Sequence, residues 1–199
     1  MCLNPHGTRV LQRFLEMITS EQDTFRKVVC LIEENFYDII INQNSTHIII
    51  KLFSLVKFPN NSNLLNLLCD NIRLISTQKH SCFTLQRCFE LVDTNQKEKI
   101  LDSIANVSDL LFNDQYGNYI VQFALSHQNP QSNKIIVDKY MSDFPSKVFE
   151  KCSSNVFSKC LLHCDKETRS KIIETNCNSR IVKQLLFNQY GNYGKKINI

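Results

Sequence analysis

A five-residue cluster recurs along the 199-residue chain, and this internal repeat constrains the fold more than any other feature of the sequence. Successive clusters are separated by steps of 38, 36, 36, 36 and 38 residues. The clusters begin at Thr8, Thr46, Cys82, Asn118, Ser154 and Asn192. A period of this length is typical of repeat proteins, in which each unit stacks on the next because no unit can bury its apolar face alone.

The spacing within each unit predicts helices. Apolar residues stand at position four of the cluster and four residues further on, as in Leu11 with Leu15, which places both on one helix face. Gly or Ser directly before position one predicts an N-cap there. Two more helices are expected between clusters, for example over 96–103 and 107–112. The sequence therefore predicts an all-α fold, a curved α-solenoid of three-helix repeats of about 36 residues.

Composition narrows the possible functions. The net charge of +4 permits a nucleic-acid partner without requiring one. No apolar run approaches the roughly 20 residues that span a bilayer, and the N-terminal residues lack the apolar segment of a signal peptide. We therefore expect no membrane association and a cytoplasmic location. The nine cysteines are scattered without a C-x-x-C pair, so we expect free thiols rather than disulfides.

Cys160, His163 and Cys164 have a spacing that suggests a zinc site. However, the positions equivalent to the two cysteines are mostly apolar in other units, for example Leu52 and Val56, so core packing is the preferred interpretation. The chain contains no Gly-rich phosphate loop and no spaced pair of carboxylates. We expect neither a metal nor another cofactor, and no enzymatic activity.

Positions one, two and five of the cluster carry the functional argument. Positions one and five are four residues apart and therefore adjacent on a helix, where they can contact the edge of one flat group together. Position two is mostly aromatic, imidazole or planar, and its residues are Arg9, His47, Phe83, Tyr119, Asn155 and Tyr193. Helices about 10 Å apart leave room for a base between such side chains, and base–aromatic stacking contributes about 1–3 kcal/mol. The alternatives are a solvated helix face for positions one and five and core packing for the rings.

The motifs T-R-V-L-Q at 8–12 and N-Y-I-V-Q at 118–122, together with Q-Y-G-N-Y at 115–119 and 189–193, resemble the Pumilio (PUF) family of RNA-binding proteins. The resemblance covers nearly the whole chain. In that family each repeat recognises one base with two or three side chains. The resemblance implies single-stranded RNA as the partner, bound antiparallel with its 5′ end on the C-terminal repeat.

Three clusters match the family's base-recognition pattern completely at positions one, two and five. They are Asn118, Tyr119 and Gln122; Cys82, Phe83 and Gln86; and Thr8, Arg9 and Gln12. By resemblance, the first set is expected to bind uracil, and the other two sets are expected to bind adenine.

The other three clusters depart from the pattern, and they are Ser154, Asn155 and Ser158; Thr46, His47 and Ile50; and Asn192, Tyr193 and Lys196. Ser158 stands where a guanine-binding repeat has Glu, and a hydroxyl cannot match a carboxylate that accepts from two guanine donors. Ile50 cannot hydrogen-bond a base edge, so that repeat is expected only to stack. Lys196 replaces the Gln of a uracil-binding repeat. The implied RNA element is 5′-U-(G)-U-A-N-A-3′, similar to the UGUA-type elements of 3′ untranslated regions.

Four cations, Arg13, Lys51, Arg87 and Lys159, directly follow position five and are candidates for phosphate contacts, with ordinary surface charge as the alternative.

The resemblance implies a monomer that regulates mRNA stability or translation and recruits deadenylation or repression factors on the convex face. Two alternatives remain open: a protein-binding HEAT- or armadillo-like solenoid, and a nucleolar PUF-like ribosome-biogenesis factor of low sequence selectivity. We expect residues 1–199 to form a single Pumilio homology domain, truncated at both ends because polar end caps are not evident.

Overall fold

The computed structural model describes residues 4–176, 183–184 and 187–188. Helices make up all the regular structure of these residues, which contain no β-strand. The predicted all-α fold of stacked repeats is confirmed. The chain divides into two compact units, Met1–Ile100 and Leu101–Ile199. None of the described helices is long and apolar enough to cross a membrane.

The first unit contains three helices that carry clusters and the helices that follow each of them in the sequence. Its helices are α1 (Pro5–Met17), a 3-10 turn (Ile18–Ser20), α2 (Gln22–Glu34), α3 (Phe36–Ile41), α4 (Thr46–Leu55), α5 (Ser62–Asp70), α6 (Ile72–Ser76), α7 (Lys79–Leu91) and the start of α8 (Thr94–Leu111). Helix α4 packs between α1 and α7, so the three helices that carry clusters are neighbours.

The second unit contains two described cluster-bearing helices. Its helices are the remainder of α8, α9 (Gly117–Ser126), α10 (Pro130–Met141), α11 (Phe144–Lys147), α12 (Ser153–His163) and α13 (Lys166–Asn176). Helices α9 and α12 pack side by side, and α10 contacts both. We call α1, α4, α7, α9 and α12 the cluster helices.

The apolar positions predicted from the period form the core. Position four is buried in four cluster helices, as is the residue four further on, and these residues are Leu11, Ile49, Leu85, Val121, Leu15, Phe53, Phe89 and Leu125. In α12 the equivalent Phe157 and Leu161 are only half-buried. Phe157 packs its ring against Tyr140 and Phe144, with ring centroids 5.8 and 4.8 Å away.

The two helices expected over 96–103 and 107–112 are wrong, because α8 runs without a break from Thr94 to Leu111. At the equivalent point of the two preceding repeats, Asn35 and Asn71 separate two helices, and each donates its side-chain amide to the carbonyl four residues earlier, at 2.7 and 2.8 Å. Such side chains compete with the backbone for hydrogen bonds and end helices. Val107 occupies this position in α8 and cannot compete, so the helix continues.

The expected N-cap directly before position one is found only in α4, where Ser45 is the N-cap residue but makes no capping hydrogen bond with its side chain. In the other described cluster helices the N-cap is a different residue. The capping side chains lie four residues before position one. Asn4 Oδ1 accepts from two backbone N–H groups, at 2.9 and 3.3 Å. Asp114 Oδ1 accepts from the N–H groups of Tyr116 and Gly117, at 2.9 and 2.7 Å, and Asn42 Oδ1 accepts from one N–H group at 2.9 Å. Asn4 and Asp114 thus satisfy N–H groups that the start of a helix leaves without partners, whereas Asn42 orders the turn before α4.

The residue directly before position one is instead a packing site. Ser45, Ser81 and Ser153 have no exposed surface. A Cβ added to Gly117 would lie 3.0 Å from Leu111 Cδ2, closer than packed carbon atoms approach. Small residues recur here because the start of each cluster helix lies against neighbouring structure.

Ser81 also joins two repeats, because its hydroxyl donates to the Ile40 carbonyl at 2.7 Å across 41 residues of sequence. We expect Ser81→Ala to lower the free energy of unfolding by about 1–3 kcal/mol, since a buried carbonyl in the last turn of α3 loses its partner. The measurement is urea unfolding followed by circular dichroism. Ser170→Ala, at an exposed site in α13, is the matched control and should change stability by no more than about 0.5 kcal/mol. Equal effects of the two variants would contradict this assignment.

Candidate functional site

Position one is buried in every described cluster. The exposed fractions are 3% for Thr8, 4% for Thr46, 9% for Cys82, 1% for Asn118 and 6% for Ser154. Each backbone N–H of these residues donates to the carbonyl four residues earlier, so position one lies in the first turn of its helix. A side chain here can offer only its polar tip to a ligand.

Position two is exposed in every described cluster, at Arg9, His47, Phe83, Tyr119 and Asn155. The two aromatic rings, Phe83 and Tyr119, are 57% and 61% exposed. For the clusters that the structure describes, the alternative that the position-two rings pack in the core is therefore wrong. A recurring exposed planar side chain, one residue from a buried polar group, provides a stacking surface.

Position five is half-buried in every described cluster, at Gln12, Ile50, Gln86, Gln122 and Ser158. The three positions thus have three different depths that recur from helix to helix: position one at the bottom, position five at the side and position two at the surface. We call positions one, two and five of a described cluster the cluster face of its helix. Asn192 and Tyr193, the predicted site residues of the sixth cluster, lie outside the described residues.

Helix α9 shows the best-defined polar arrangement on the cluster face. Gln122 Nε2 donates to Asn118 Oδ1 at 2.9 Å and to the Asn118 carbonyl at 3.3 Å. Asn118 Nδ2 donates in turn to the Asp114 carbonyl at 2.8 Å. This chain of hydrogen bonds orients both amides. Gln122 Oε1 accepts no hydrogen bond from any described residue and is available to a ligand donor.

The other clusters use their polar groups differently. In α1, Gln12 Nε2 donates weakly to the Thr8 carbonyl at 3.4 Å. In α7, Cys82 Sγ donates to the Ser76 carbonyl at 2.9 Å, which fixes the thiol at the base of the face. In α12, Ser158 Oγ donates to the Ser154 carbonyl at 3.3 Å. Serine in position five therefore directs its only donor toward its own helix.

Three of the four cations after position five are already paired. Arg13 Nη1 contacts Glu16 Oε2 at 2.7 Å, and Lys51 contacts the other oxygen of the same carboxylate. Arg87 Nη1 contacts Glu90 Oε2 at 2.5 Å. Exposed ion pairs contribute about 0–1 kcal/mol, so phosphate can compete for these cations.

The sequence analysis missed the carboxylates themselves. Glu16 and Glu90 stand four residues after position five, and at 100° per residue this site lies on the same side of the helix as positions two and five. The available signal was the recurrence of R-F-L-E at 13–16 and R-C-F-E at 87–90, two repeats apart.

Of the group Cys160, His163 and Cys164, only Cys160 is part of the buried packing, and the other two residues are half-buried. Cys160 has no exposed surface, and burial raises the pKa of its thiol, which keeps it in the protonated form that binds metal poorly. Burial and the nearby Lys159 lower the pKa of His163. In the part of the chain that the structure describes, no three His, Cys, Asp or Glu side chains are grouped to hold a metal ion.

A family model described as the Pumilio-family RNA binding repeat matches residues 1–23, 71–105, 113–139 and 147–174, more than half of the chain. The matched segments contain the clusters at Thr8, Cys82, Asn118 and Ser154. The cluster at Thr46, with Ile50 in position five, falls between them.

Curated relatives match over almost the whole chain. A Pumilio domain-containing protein of Schizosaccharomyces pombe is 26% identical over 190 residues, which are 96% of this chain and 28% of that protein. Pumilio homolog 12 of Arabidopsis thaliana is 27% identical over 188 residues, which are 94% of this chain and 31% of that protein. The chain thus spans less than a third of the length of these relatives.

Solved structures of the same fold contain RNA. The Puf4 RNA-binding domain bound to the HO endonuclease RNA 3′ UTR recognition sequence matches with a TM-score of 0.80 and 28% identity, over 96% of this chain and 61% of that chain. The RNA-binding domain of yeast Puf5p bound to AAT2 RNA matches with a TM-score of 0.77 at 22% identity, over 96% and 55% of the two chains. The second likeness shows the fold alone.

Proposed function

The chain belongs to the Pumilio family of RNA-binding repeat proteins, and from this premise we propose that it binds single-stranded RNA sequence-selectively to regulate mRNA stability or translation. We propose a UGUA-like element of mRNA 3′ untranslated regions as the target and the cytoplasm as the place of action. The 3′ UTR sequence bound to the Puf4 domain supports the class of target.

The observation that carries the proposal is the recurring depth pattern of the cluster face. A buried residue with a polar or thiol side chain, a half-buried residue four positions later and an exposed planar side chain between them recur in five helices. Asn118 is 1% exposed and Tyr119 is 61% exposed, and the equivalent residues of the other described clusters are likewise buried and exposed. An ordinary solvated surface would not repeat this pattern. One base per helix, stacked on position two and hydrogen-bonded through positions one and five, accounts for all three depths.

In α9, the Gln122 and Asn118 amides supply the groups that the Watson–Crick edge of uracil requires. Gln122 Oε1 can accept from the uracil N3–H, and an amide N–H can donate to a uracil carbonyl. The Tyr119 ring supplies the stacking surface. In α4, Ile50 supplies no hydrogen-bonding group, and we propose that His47 there stacks on any base. In α12, the Ser158 hydroxyl donates to its own helix, and we propose that this repeat therefore selects guanine only weakly.

The test is fluorescence anisotropy with an eight-nucleotide RNA that contains UGUANA, compared with the same RNA in which UGU is replaced by ACA. We expect the first RNA to bind at least about tenfold more tightly, because each mismatched base costs on the order of 1 kcal/mol or more. Equal affinities would instead indicate a low-selectivity PUF-like protein. Absence of binding by a folded chain would indicate a protein-binding solenoid.

Tyr119→Ala provides a second test of the same proposal. We expect it to weaken binding of the UGUANA RNA by about 5- to 150-fold, which corresponds to the roughly 1–3 kcal/mol of one base–aromatic stack. Tyr37→Ala is the matched control, because Tyr37 is 52% exposed and lies on α3, outside the cluster face. The control should keep the affinity of the unaltered protein, and a similar loss in both variants would count against base stacking at Tyr119.

We propose that the protein acts as a monomer, with deadenylation or repression factors bound to helices other than the cluster helices. The family resemblance supports this arrangement. Pulldown of such factors in the presence of saturating UGUANA RNA tests it, because partners that use other helices should remain bound.

A further inference from the structure

The carboxylate of Glu16 lies on the side of α1 that carries positions two and five, one turn beyond position five. Glu16 follows Gln12 by four residues, and the helical angle of 100° per residue places it between Gln12 and Arg13 on the helix surface. Its Oε2 accepts from Arg13 Nη1 at 2.7 Å, and its Oε1 accepts from Lys51 Nζ. Lys51 belongs to α4, so Glu16 joins two neighbouring cluster helices of the first unit.

The carboxylate is held by both cations at once. The side chains of Glu16 and Lys51 are 34% and 26% exposed, whereas that of Arg13 is 75% exposed and those of the Arg87–Glu90 pair on α7 are 49% and 58% exposed. The hydrogen bond from Lys51 is the largest cause that lowers the pKa of Glu16, and the hydrogen bond from Arg13 is the next largest. Glu16 is therefore ionised at neutral pH and offsets the charge of both residues that directly follow position five in α1 and α4.

An RNA phosphate and a carboxylate compete for the same partners, because both present anionic oxygens that Arg and Lys bind through charge-assisted hydrogen bonds. We propose that Glu16 occupies the position at which a backbone phosphate of bound RNA meets Arg13 and Lys51, and that RNA binding across α1 and α4 displaces its carboxylate. This inference rests on the proposed function. Its consequence is that the α1–α4 end of the site selects RNA by its bases and draws little affinity from phosphate attraction.

The two-cation arrangement distinguishes Glu16 from its equivalents. Glu90 of α7 contacts the single cation Arg87. The equivalent residues of α4, α9 and α12 are Ser54, Ser126 and Leu162, which carry no charge. Among the described cluster helices, masking of two cations by one carboxylate is therefore confined to α1 and α4.

Glu16→Gln tests the proposal, because it removes the negative charge and keeps the size of the side chain. We expect this variant to bind the UGUANA RNA about three- to tenfold more tightly at about 50 mM salt than the unaltered protein, because low salt favours phosphate contacts. The slope of log Kd against log salt concentration should steepen by about 0.7 for each additional phosphate of the single strand that the variant binds. Anisotropy titrations at several salt concentrations measure both quantities.

Two controls separate a local phosphate site from a general effect of charge or stability. Glu98→Gln makes the same change of charge at an exposed site of α8, away from the cluster face, and should leave the slope unchanged. An RNA with uncharged methylphosphonate linkages in its 3′ half should bind Glu16→Gln and the unaltered protein with equal affinity. Urea unfolding of both variants measures any loss of the link between α1 and α4.

The outcomes distinguish this inference from the proposed function. If the unaltered protein discriminates UGU from ACA but Glu16→Gln keeps its slope and affinity, the masking role is overturned and the function stands. The masking role is also overturned if Glu98→Gln tightens binding equally, or if the tighter binding of Glu16→Gln persists with the methylphosphonate RNA. If the unaltered protein binds neither RNA, the proposed function fails and this inference fails with it.

Discussion

Asn118→Ser combined with Gln122→Glu is expected to change the base preferred by the α9 repeat from uracil to guanine. In the unaltered protein the two amides are held together by a 2.9 Å hydrogen bond from Gln122 Nε2 to Asn118 Oδ1, and Gln122 Oε1 is available to one donor. A glutamate carboxylate accepts from two donors at once, which matches the N1–H and N2–H groups of guanine and repels the carbonyl oxygens of uracil.

A well-placed bidentate contact discriminates between bases by about 1–3 kcal/mol. We therefore expect the unaltered protein to prefer uracil, and the double variant to prefer guanine, each by on the order of 5- to 150-fold. The measurement is anisotropy with RNAs that differ only in the third base of UGUANA. Gln131→Glu adds the same charge at an exposed site of α10 and is the control for general repulsion of RNA. An unchanged base preference in the double variant would reject the assignment of positions one and five.

Phe53→Ala is expected to destabilise the chain more than any change on its surface. Phe53 lies in α4, which packs between α1 and α7, and its side chain has no exposed surface. Truncation of a fully buried Phe costs about 3–5 kcal/mol, because the transfer free energy of the ring is lost and a cavity remains. This cost is comparable with the whole stability of a marginally stable domain, about 5–15 kcal/mol.

Phe58→Ala is the matched control for Phe53→Ala. It removes the same ring five residues later, from a loop site that is 64% exposed, and is expected to change stability by no more than about 0.5 kcal/mol. Urea unfolding of the two variants measures the difference. Similar urea midpoints for the two variants would show that Phe53 and its equivalents in the other repeats do not form the core.

Local periodicity made much of the fold predictable. Helix type and the core residues Leu11 and Leu15 follow from spacings within one repeat, which a helical period places on one face. The choice of positions one, two and five as candidate site residues came from the same spacing. Their assignment to particular bases is still a prediction.

The errors in the sequence analysis concern competition between side chain and backbone. A break was expected within α8, but Val107 there lacks the side-chain amide with which Asn35 and Asn71 interrupt their helices. The residue before position one was expected to cap, but Asn4 and Asp114, four residues before position one, accept the first N–H groups. Both outcomes depend on which polar group reaches a backbone partner, and composition and period do not specify this.

By itself, the sequence determined the repeat period, the helical class and the three recurring positions that we propose to contact a base, because all of these are encoded within about 36 residues and recur. Only the tertiary structure decided which groups meet between repeats. Glu16 contacts Lys51 across 35 residues, and Asn61 and Gln96 exchange two buried hydrogen bonds across the same separation, at 3.3 and 2.7 Å. These contacts depend on how one helix packs against the next, so no spacing inside a single repeat contains them.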